Sequence, residues 1–207
     1  TKVRPGAYFN IQKQGTNAQA DVVNGVTAVV FKSDFGPLNT AVELSAEDGF
    51  ASTFGNGGTT DAIQEAINGG AKTIIACRVG NGGTAGTVTL NDNEGEAAVM
   101  ITAAYPGKKE FTVTVREKLT DSTVKECIIY AGKTEFEKAE FPAGSGEAAA
   151  LVEAFSNSQK FKAELKAGKD SAEIKAVSQS AFTAGTDPQV TTGDYSEAFA
   201  QVEAFDF

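Results

Sequence analysis

Three groups of residues have the types and spacing to do chemistry. The first is Gly-Asn-Gly-Gly, which occurs twice, at residues 55–58 and 80–83, each time followed by Thr. Such loops can cradle a phosphate through backbone N–H groups at the start of a helix. A P-loop needs Gly-x-x-x-x-Gly-Lys-Ser/Thr, and neither copy has the lysine. Gly132-Lys133-Thr134 supplies that triplet, but Cys127 stands where the first glycine belongs. Residues 80–85 also fit the relaxed Gly-x-Gly-x-x-Ala pattern of dinucleotide-binding turns. That pattern must open a helix, whereas Gly86-Thr87-Val88-Thr89 reads as a strand. The ordinary turn role of Gly and Asn accounts for both copies.

The second group is carboxylates. Glu94 with Glu96 and Glu135 with Glu137 stand at i,i+2, so each pair would share a strand face, as calcium binding or glycoside chemistry requires. The Asp-x-Asp-x-Asp-Gly calcium loop is absent, and Asn91-Asp92-Asn93-Glu94-Gly95 resembles it only loosely. These pairs are read as solvated faces. The third group is Cys77 and Cys127. The chain has no His, which excludes Ser-His-Asp and Cys-His nucleophiles, and two cysteines alone cannot complete a four-ligand zinc site. Both lie in apolar runs and are expected to be unpaired core thiols, in keeping with a reducing compartment. No catalytic, metal-ligating or cofactor-binding residue is assigned, and no cofactor is expected.

The wider composition narrows the partners. Of 207 residues, 18 are basic and 27 acidic, a net charge of −9, which argues against binding nucleic acid or anionic membranes non-specifically. Lys108, Lys109, Arg116 and Lys118 are interleaved with Glu110 and Glu117, a mixed outer face rather than a basic patch. No apolar run approaches the ~20 residues that span a bilayer, so no membrane insertion is expected. Hydrophobic content of 41% is ordinary for a globular chain able to bury a core without disulfides.

The elements that position these residues change character along the chain. Residues 1–20 read as an extended arm, since Arg4-Pro5-Gly6 forces an extended or turned start and residues 12–19 are nearly all polar. Residues 25–31 are β-branched and apolar, hence a buried strand. A short strand is expected over 41–44, after the Phe35-Gly36-Pro37 turn. A helix over 46–54, capped by Ser45, should follow, then a second helix from Thr60 or Asp61 with Ile63 and Ile67 stacked at i,i+4 and ended by Gly69-Gly70. Residues 73–79 form an almost unbroken apolar run, as a sheet covered on both faces requires. Strand, helix, helix, strand suggests a mostly parallel sheet.

From Gly86 onward the period is two. Phe111, Val113 and Val115 share one face. Further strands are expected over 87–90, 98–103, 124–130, 134–141, 161–165 and 172–177, with a short helix over 147–155. Many short strands at such spacing indicate a β-sandwich or barrel. Beyond residues 182–188 an amphipathic helix over 196–205 places Phe199 and Val202 on one stripe. The fold class is therefore mixed α+β. A partial α/β core (residues 21–87 with 184–207) is interrupted by an inserted antiparallel β-rich domain (88–183) and preceded by the arm. A sheet of two or three strands with one further helix is incomplete, so the chain reads as part of a longer protein.

The order of these features resembles one family. Arg4-Pro5-Gly6-Ala7-Tyr8-Phe9-Asn10 resembles the Arg-Pro-Gly-Val-Tyr start common in contractile tail sheath proteins of bacteriophages and phage-like bacteriocins. Gly25-Val26-Thr27-Ala28-Val29-Val30 followed by Phe35-Gly36-Pro37 is similar to that family's first strand and its Trp/Phe-Gly-Pro turn. Residues 66–73 before Arg78-Val79 resemble its Gly-Ala segment leading to Arg-Val. Phe182-Thr183-Ala184-Gly185-Thr186-Asp187 is similar to its Gly-Gly-Thr-Asp-Gly return from the inserted domain, with Ala184 and Pro188 in place of glycines. The resemblance covers about residues 4–87 and 182–207; the region between varies widely in the family.

The resemblance implies a structural subunit that polymerises in helical rings around a tail tube and contracts to drive the tube through a cell envelope. Its implied partners are further copies of itself and the tail tube protein, and its implied place is the virion tail, assembled in the cytoplasm of the bacterial host. The family's terminal arms add strands to neighbouring subunits. Arg4, Pro5, Gly6, Tyr8 and Phe9 therefore become the candidate assembly arm. The family's C-terminal half would lie outside this chain, which implies impaired polymerisation and makes Phe199, Val202 and Phe205 a candidate surface for docking that half. The residues alone leave one other class open, a β-sandwich binding module of a surface or adhesin protein, which requires a ligand-sized pocket lined by aromatics.

Overall fold

The computed structural model describes residues 25–46, 50–55 and 61–205. In chain order the first elements are β1 (Val26–Phe31), β2 (Ala41–Ser45), α1 (Ala51–Phe54), α2 (Asp61–Asn68) and β3 (Thr73–Arg78). Next come β4 (Thr87–Asn91), β5 (Ala97–Ala103), β6 (Thr112–Lys118), β7 (Asp121–Ala131) and β8 (Thr134–Pro142). The chain finishes with α3 (Glu147–Ala154), β9 (Phe161–Leu165), β10 (Val177–Ala181) and α4 (Thr192–Glu203). The mixed α+β class read from the sequence is the observed one.

β3 is the central strand of a three-stranded sheet in the order β1-β3-β2. Its apolar run is buried on both faces because both faces carry helices. Ile74 and Ala76 pack with Val29 and Phe31 against Phe54 of α1 and Ile63 of α2. Ile75, Cys77 and Val79 pack on the opposite face against Ala198 and Val202 of α4. The pairing is parallel only between β1 and β3; β2 runs antiparallel to β3, so the expected mostly parallel sheet is a mixed one. The turn is the cause. Gly36 (φ 105°) and Asn39 (φ 51°) reverse the chain at the end of β1, and Asn39 N–H donates to the carbonyl of Arg78 at 2.8 Å. The chain thus enters β2 beside the end of β3 and can only run back along it.

The expected helix over 46–54 is also shorter. Ser45 pairs with Thr73 as the last residue of β2, Ala46 N–H still bonds to the Lys72 carbonyl, and helix begins at Ala51 with Phe50 as its N-cap. Ser45 is therefore a ladder residue, and the N-cap position of α1 falls to Phe50.

The β-rich region holds two antiparallel sheets, β10-β6-β7-β8 and β4-β5-β9. They contribute to one apolar cluster: Val88, Leu90, Val99 and Ile101 from one, Val113, Val115, Cys127 and Ile129 from the other. Ala148, Leu151 and Phe155 of the α3 region join it. Residues 172–176 are not the expected strand. Their backbone groups are taken elsewhere: Ala148 N–H donates to the Ala172 carbonyl, Lys175 N–H to the Asn91 carbonyl, and Ile174 N–H to the Glu147 carboxylate at 2.6 Å. The ladder with β6 starts only at Val177.

Candidate functional site

The two cores meet at a junction formed by the turn at 80–87 and the return segment at 183–189. The chain leaves through residues 80–87 and returns through 183–189, and these run antiparallel, with bridges Asn81↔Gln189, Thr84↔Thr186 and Thr87↔Thr183. The approach is close enough that a Cβ on Gly185 would lie 2.1 Å from the Thr84 carbonyl oxygen. Asp187 holds the neighbouring loop: one carboxylate oxygen accepts the Lys108 N–H at 3.0 Å and the other pairs with Lys108 Nζ at 2.9 Å. That bond raises the Lys108 ammonium above its ordinary value.

Arg78 ends β3 with its side chain wholly buried. Its Nε donates to the Ser33 carbonyl at 2.9 Å, Nη1 to the Gly36 carbonyl at 2.6 Å and Nη2 to the Pro106 carbonyl at 2.8 Å. A planar fork of fixed donors suits three carbonyls in this arrangement, where an ammonium would not. Burial pushes the guanidinium down to about 10, opposed by Asp187 and Asp34, so it stays protonated at neutral pH. Next to it, Phe35 crosses from the turn after β1 into the cluster of the β-rich region. It stacks edge-on against Tyr105 (5.3 Å), Phe111 (5.5 Å) and Phe136 (5.3 Å). Pairs of this kind contribute about 0.5–1.5 kcal/mol each beyond their buried area.

Beside the junction lies a cleft of about 630 Å³, lined by Asp34 and Ser52 on one side and by Lys109, Phe136 and Lys160 on the other. Lys109 sits 3.8 Å from Asp34 Oδ2, and Asp34 Oδ1 is buried with no hydrogen-bond partner among the described residues. Lys160 lies over the Phe136 ring at 4.7 Å and donates to the Phe136 carbonyl. Phe136 is the one aromatic lining residue among those described, so the cleft is not lined by aromatics as a binding module of that kind requires. Among the described residues no three His, Cys, Asp or Glu side chains converge as a metal site would need.

The residues singled out in the sequence are dispersed. Arg4, Pro5, Gly6, Tyr8 and Phe9 lie outside the described residues, as does most of the first Gly-Asn-Gly-Gly. The second copy is part of the junction; Gly82 (φ 70°) and Gly83 (φ 81°) turn the chain toward β4 and open no helix. Asp92 is turned inward: Oδ1 accepts N–H groups of Glu94 (3.0 Å) and Glu96 (2.8 Å), and Oδ2 binds Lys169 Nζ at 2.6 Å. Lys169 first, then the two backbone donors, hold its carboxyl below the ordinary value. Glu94 and Glu96 are exposed, and Glu137 lies 3.7 Å from Lys160. The mixed basic face is paired, Arg116 with Glu126 at 2.6 Å and Lys118 with Glu140 at 2.6 Å. Both cysteines are free and buried, and burial pushes the Cys127 thiol up to about 12.

α4 separates the residues expected on one stripe. Tyr195, Ala198, Val202 and Phe205 face β3, whereas Phe199 is 53% exposed. Phe199 follows Ala198 by one residue, a rotation of about 100° around the helix, which carries it off the buried side. Val202 is 3% exposed and Phe205 half-buried, so of the three only Phe199 presents an open apolar surface. Helix α4 starts at the end of β3: the Asn81 side chain donates to Asp194, whose other oxygen accepts the Thr191 N–H at 2.6 Å.

Arg78 stood in the sequence only as part of the Arg-Val resemblance, and Glu147, which is 2% exposed and binds Lys125 Nζ at 2.7 Å and Gly144 N–H at 2.7 Å, had no role there. A charge closing an otherwise unbroken apolar run was the available signal for Arg78.

No family model matches the sequence, and no curated protein matches it. Its fold is similar to that of the sheath tail protein from Listeria innocua, with a TM-score of 0.67 and 22% identity over 88% of this chain and 39% of that one. It is also similar to the sheath tail protein from Desulfitobacterium hafniense, with a TM-score of 0.64 and 18% identity over 98% of this chain and 44% of that one. The chain thus spans less than half the length of either. At the level of fold, the resemblance drawn from the sequence holds.

Proposed function

We propose that the chain is the N-terminal portion of a structural subunit of a contractile tail sheath, with no enzymatic role. It polymerises in helical rings around a tail tube and contracts to drive the tube through a cell envelope. The observation that carries this reading is the likeness in fold to two sheath tail proteins over 88% and 98% of the chain, which takes in the β-rich region and the return from it. In this reading residues 21–87 with 184–207 are an incomplete α/β core, residues 88–183 are an outward-facing insertion, and residues 1–20 are an arm. Arg4, Pro5, Gly6, Tyr8 and Phe9 then add a strand to a neighbouring subunit, and Phe199 offers apolar surface for docking further sheath polypeptide. Partners are further copies and the tail tube protein, in a virion or prophage-derived tail assembled in the bacterial cytoplasm. The energy of contraction resides in a metastable extended assembly, so interfaces rather than a nucleotide site do the work.

Electron microscopy of the full polypeptide encoded by the gene, alone and with purified tail tube, tests this. Helical tubes, rings or a decorated tube are expected. A tube left bare would overturn the sheath reading in favour of a binding module.

A further inference from the structure

An independent domain carries its own hydrophobic core. The core of the β-rich region is completed from elsewhere. Among the described residues Phe35 is the one member of that apolar cluster from outside residues 85–182, and it is 1% exposed. Its ring fills a socket between Tyr105, Phe111, Phe136 and Phe161, with centroids 5.3–6.4 Å from theirs.

The segment that delivers this ring is fastened to the α/β region before and after it. Ser33 Oγ donates to the Phe54 carbonyl, and the Ser33 and Gly36 carbonyls accept from Arg78. Asn39 exchanges two hydrogen bonds with Gly80, Nδ2 to the carbonyl at 2.9 Å and Gly80 N–H to Oδ1 at 3.3 Å. Phe54 of α1 and Arg78 of β3 are themselves wholly buried. Residues 33–39 therefore cannot leave the α/β region without taking its buried donors and acceptors apart. Phe35 cannot leave the β-rich region without opening a ring-sized void in a close-packed core. The paired segments at 80–87 and 183–189 fix where the β-rich region is attached, whereas a side chain shared between cores makes the opening of one the opening of the other.

We propose that residues 33–39 are a clasp that joins the α/β and β-rich regions into one cooperative unit, so that neither opens while the other stays folded. The β-rich region is then an insertion in the chain but not a separately folding domain. This coupling is a property of the 207-residue chain and is independent of the sheath reading.

Residue-resolved amide hydrogen exchange on that chain tests it. The probes are the amides of β3 and β7, each of which has a strand on both sides. The perturbation is Ile63→Ala in α2, which empties part of the α/β core and touches no residue of the β-rich cluster. Exchange should quicken about 30-fold or more at Ile75 and Ala76, and by the same factor at Ile128 and Ile129. Should Ile63→Ala not fold, Ile63→Val should quicken both sets equally by about 2- to 10-fold. Faster exchange in β3 with β7 unchanged would overturn the proposal, because the β-rich region would then stay closed on its own. A second comparison isolates the clasp. In a Phe35→Leu background, which keeps an apolar side chain but loses the ring contacts, the response of β7 to the Ile63 substitution should shrink while that of β3 persists. An undiminished response of β7 would show that the two cores are coupled by something other than residues 33–39, and would overturn the role given to the clasp.

Discussion

Arg78 Nη2 donates to the carbonyl of Pro106 at 2.8 Å, while the same guanidinium holds the Ser33 and Gly36 carbonyls. One side chain at the end of the central strand thus ties the α/β sheet to the loop between β5 and β6. Phe35, two residues past Ser33, adds its ring to the aromatic cluster on the far side. The junction is built from a few strongly committed residues.

Arg78→Ala leaves three carbonyls without their charged donor in a site closed to water. The expected loss is about 3–5 kcal/mol, read from urea denaturation. Arg78→Lys should recover only part of this, because one ammonium cannot span three acceptors set for a fork.

Phe35→Ala should cost about 3–5 kcal/mol, as truncation of a buried aromatic packed with four others does. Gly107→Ala should be more severe than Gly132→Ala. A Cβ at Gly107 would stand 1.9 Å from the Asp34 carbonyl oxygen, whereas at Gly132 nothing lies within 4 Å and only the positive φ opposes it. Thermal denaturation of the two variants side by side would show the difference, with Gly132→Ala losing about 1–2 kcal/mol.

The Asp92 carboxyl is held below its ordinary value of 3.8 by Lys169 and the backbone of residues 94–96. A depressed carboxylate contributes stability that is complete above its unfolded value and is lost as the pH falls through the folded one. The gap in stability between the parent and Asp92→Asn should therefore be constant near neutral pH and narrow as the pH drops below about 4. Denaturation midpoints measured from pH 7 to pH 3 check the sign.

Cys77 and Cys127 are free, buried and pushed upward by burial. Neither should react with a disulfide reagent at pH 8 in the folded protein, and both should react in denaturant. A stoichiometric reaction of the native chain would contradict their placement.

Phe199→Glu should leave stability within about 0.5 kcal/mol, since the ring is largely exposed. Val202→Ala should cost about 2 kcal/mol, since it empties part of the contact between α4 and β3. If Phe199 docks further sheath polypeptide, Phe199→Glu in the full encoded protein should abolish tubes seen by electron microscopy while its melting curve stays unchanged.

Much of this fold is legible in the chain because its signals are local. The unbroken apolar run of β3, the alternation of Phe111, Val113 and Val115, and the Gly69-Gly70 stop after α2 each follow from side chain and backbone preferences within a few residues. The shortfalls arose where a residue's partner is remote. Ser45 looks like the residue before a helix until Thr73 extends the β2 ladder to it and moves the start of α1 to Ala51, and residues 172–176 alternate like a strand until Glu147 and Asn91 take their backbone groups. Phe199 and Val202 differ in role by a rotation about the helix axis that only the position of β3 sets.

Composition and periodicity by themselves determined the mixed α+β class, the free core thiols and the absence of any His-based chemistry. The tertiary structure alone decided the direction of β2, the three carbonyls gathered by Arg78, the inward turn of Asp92 and the face of α4. Pairing direction and satisfaction of buried polar groups depend on which distant segments lie within 3 Å, and no local propensity encodes that distance.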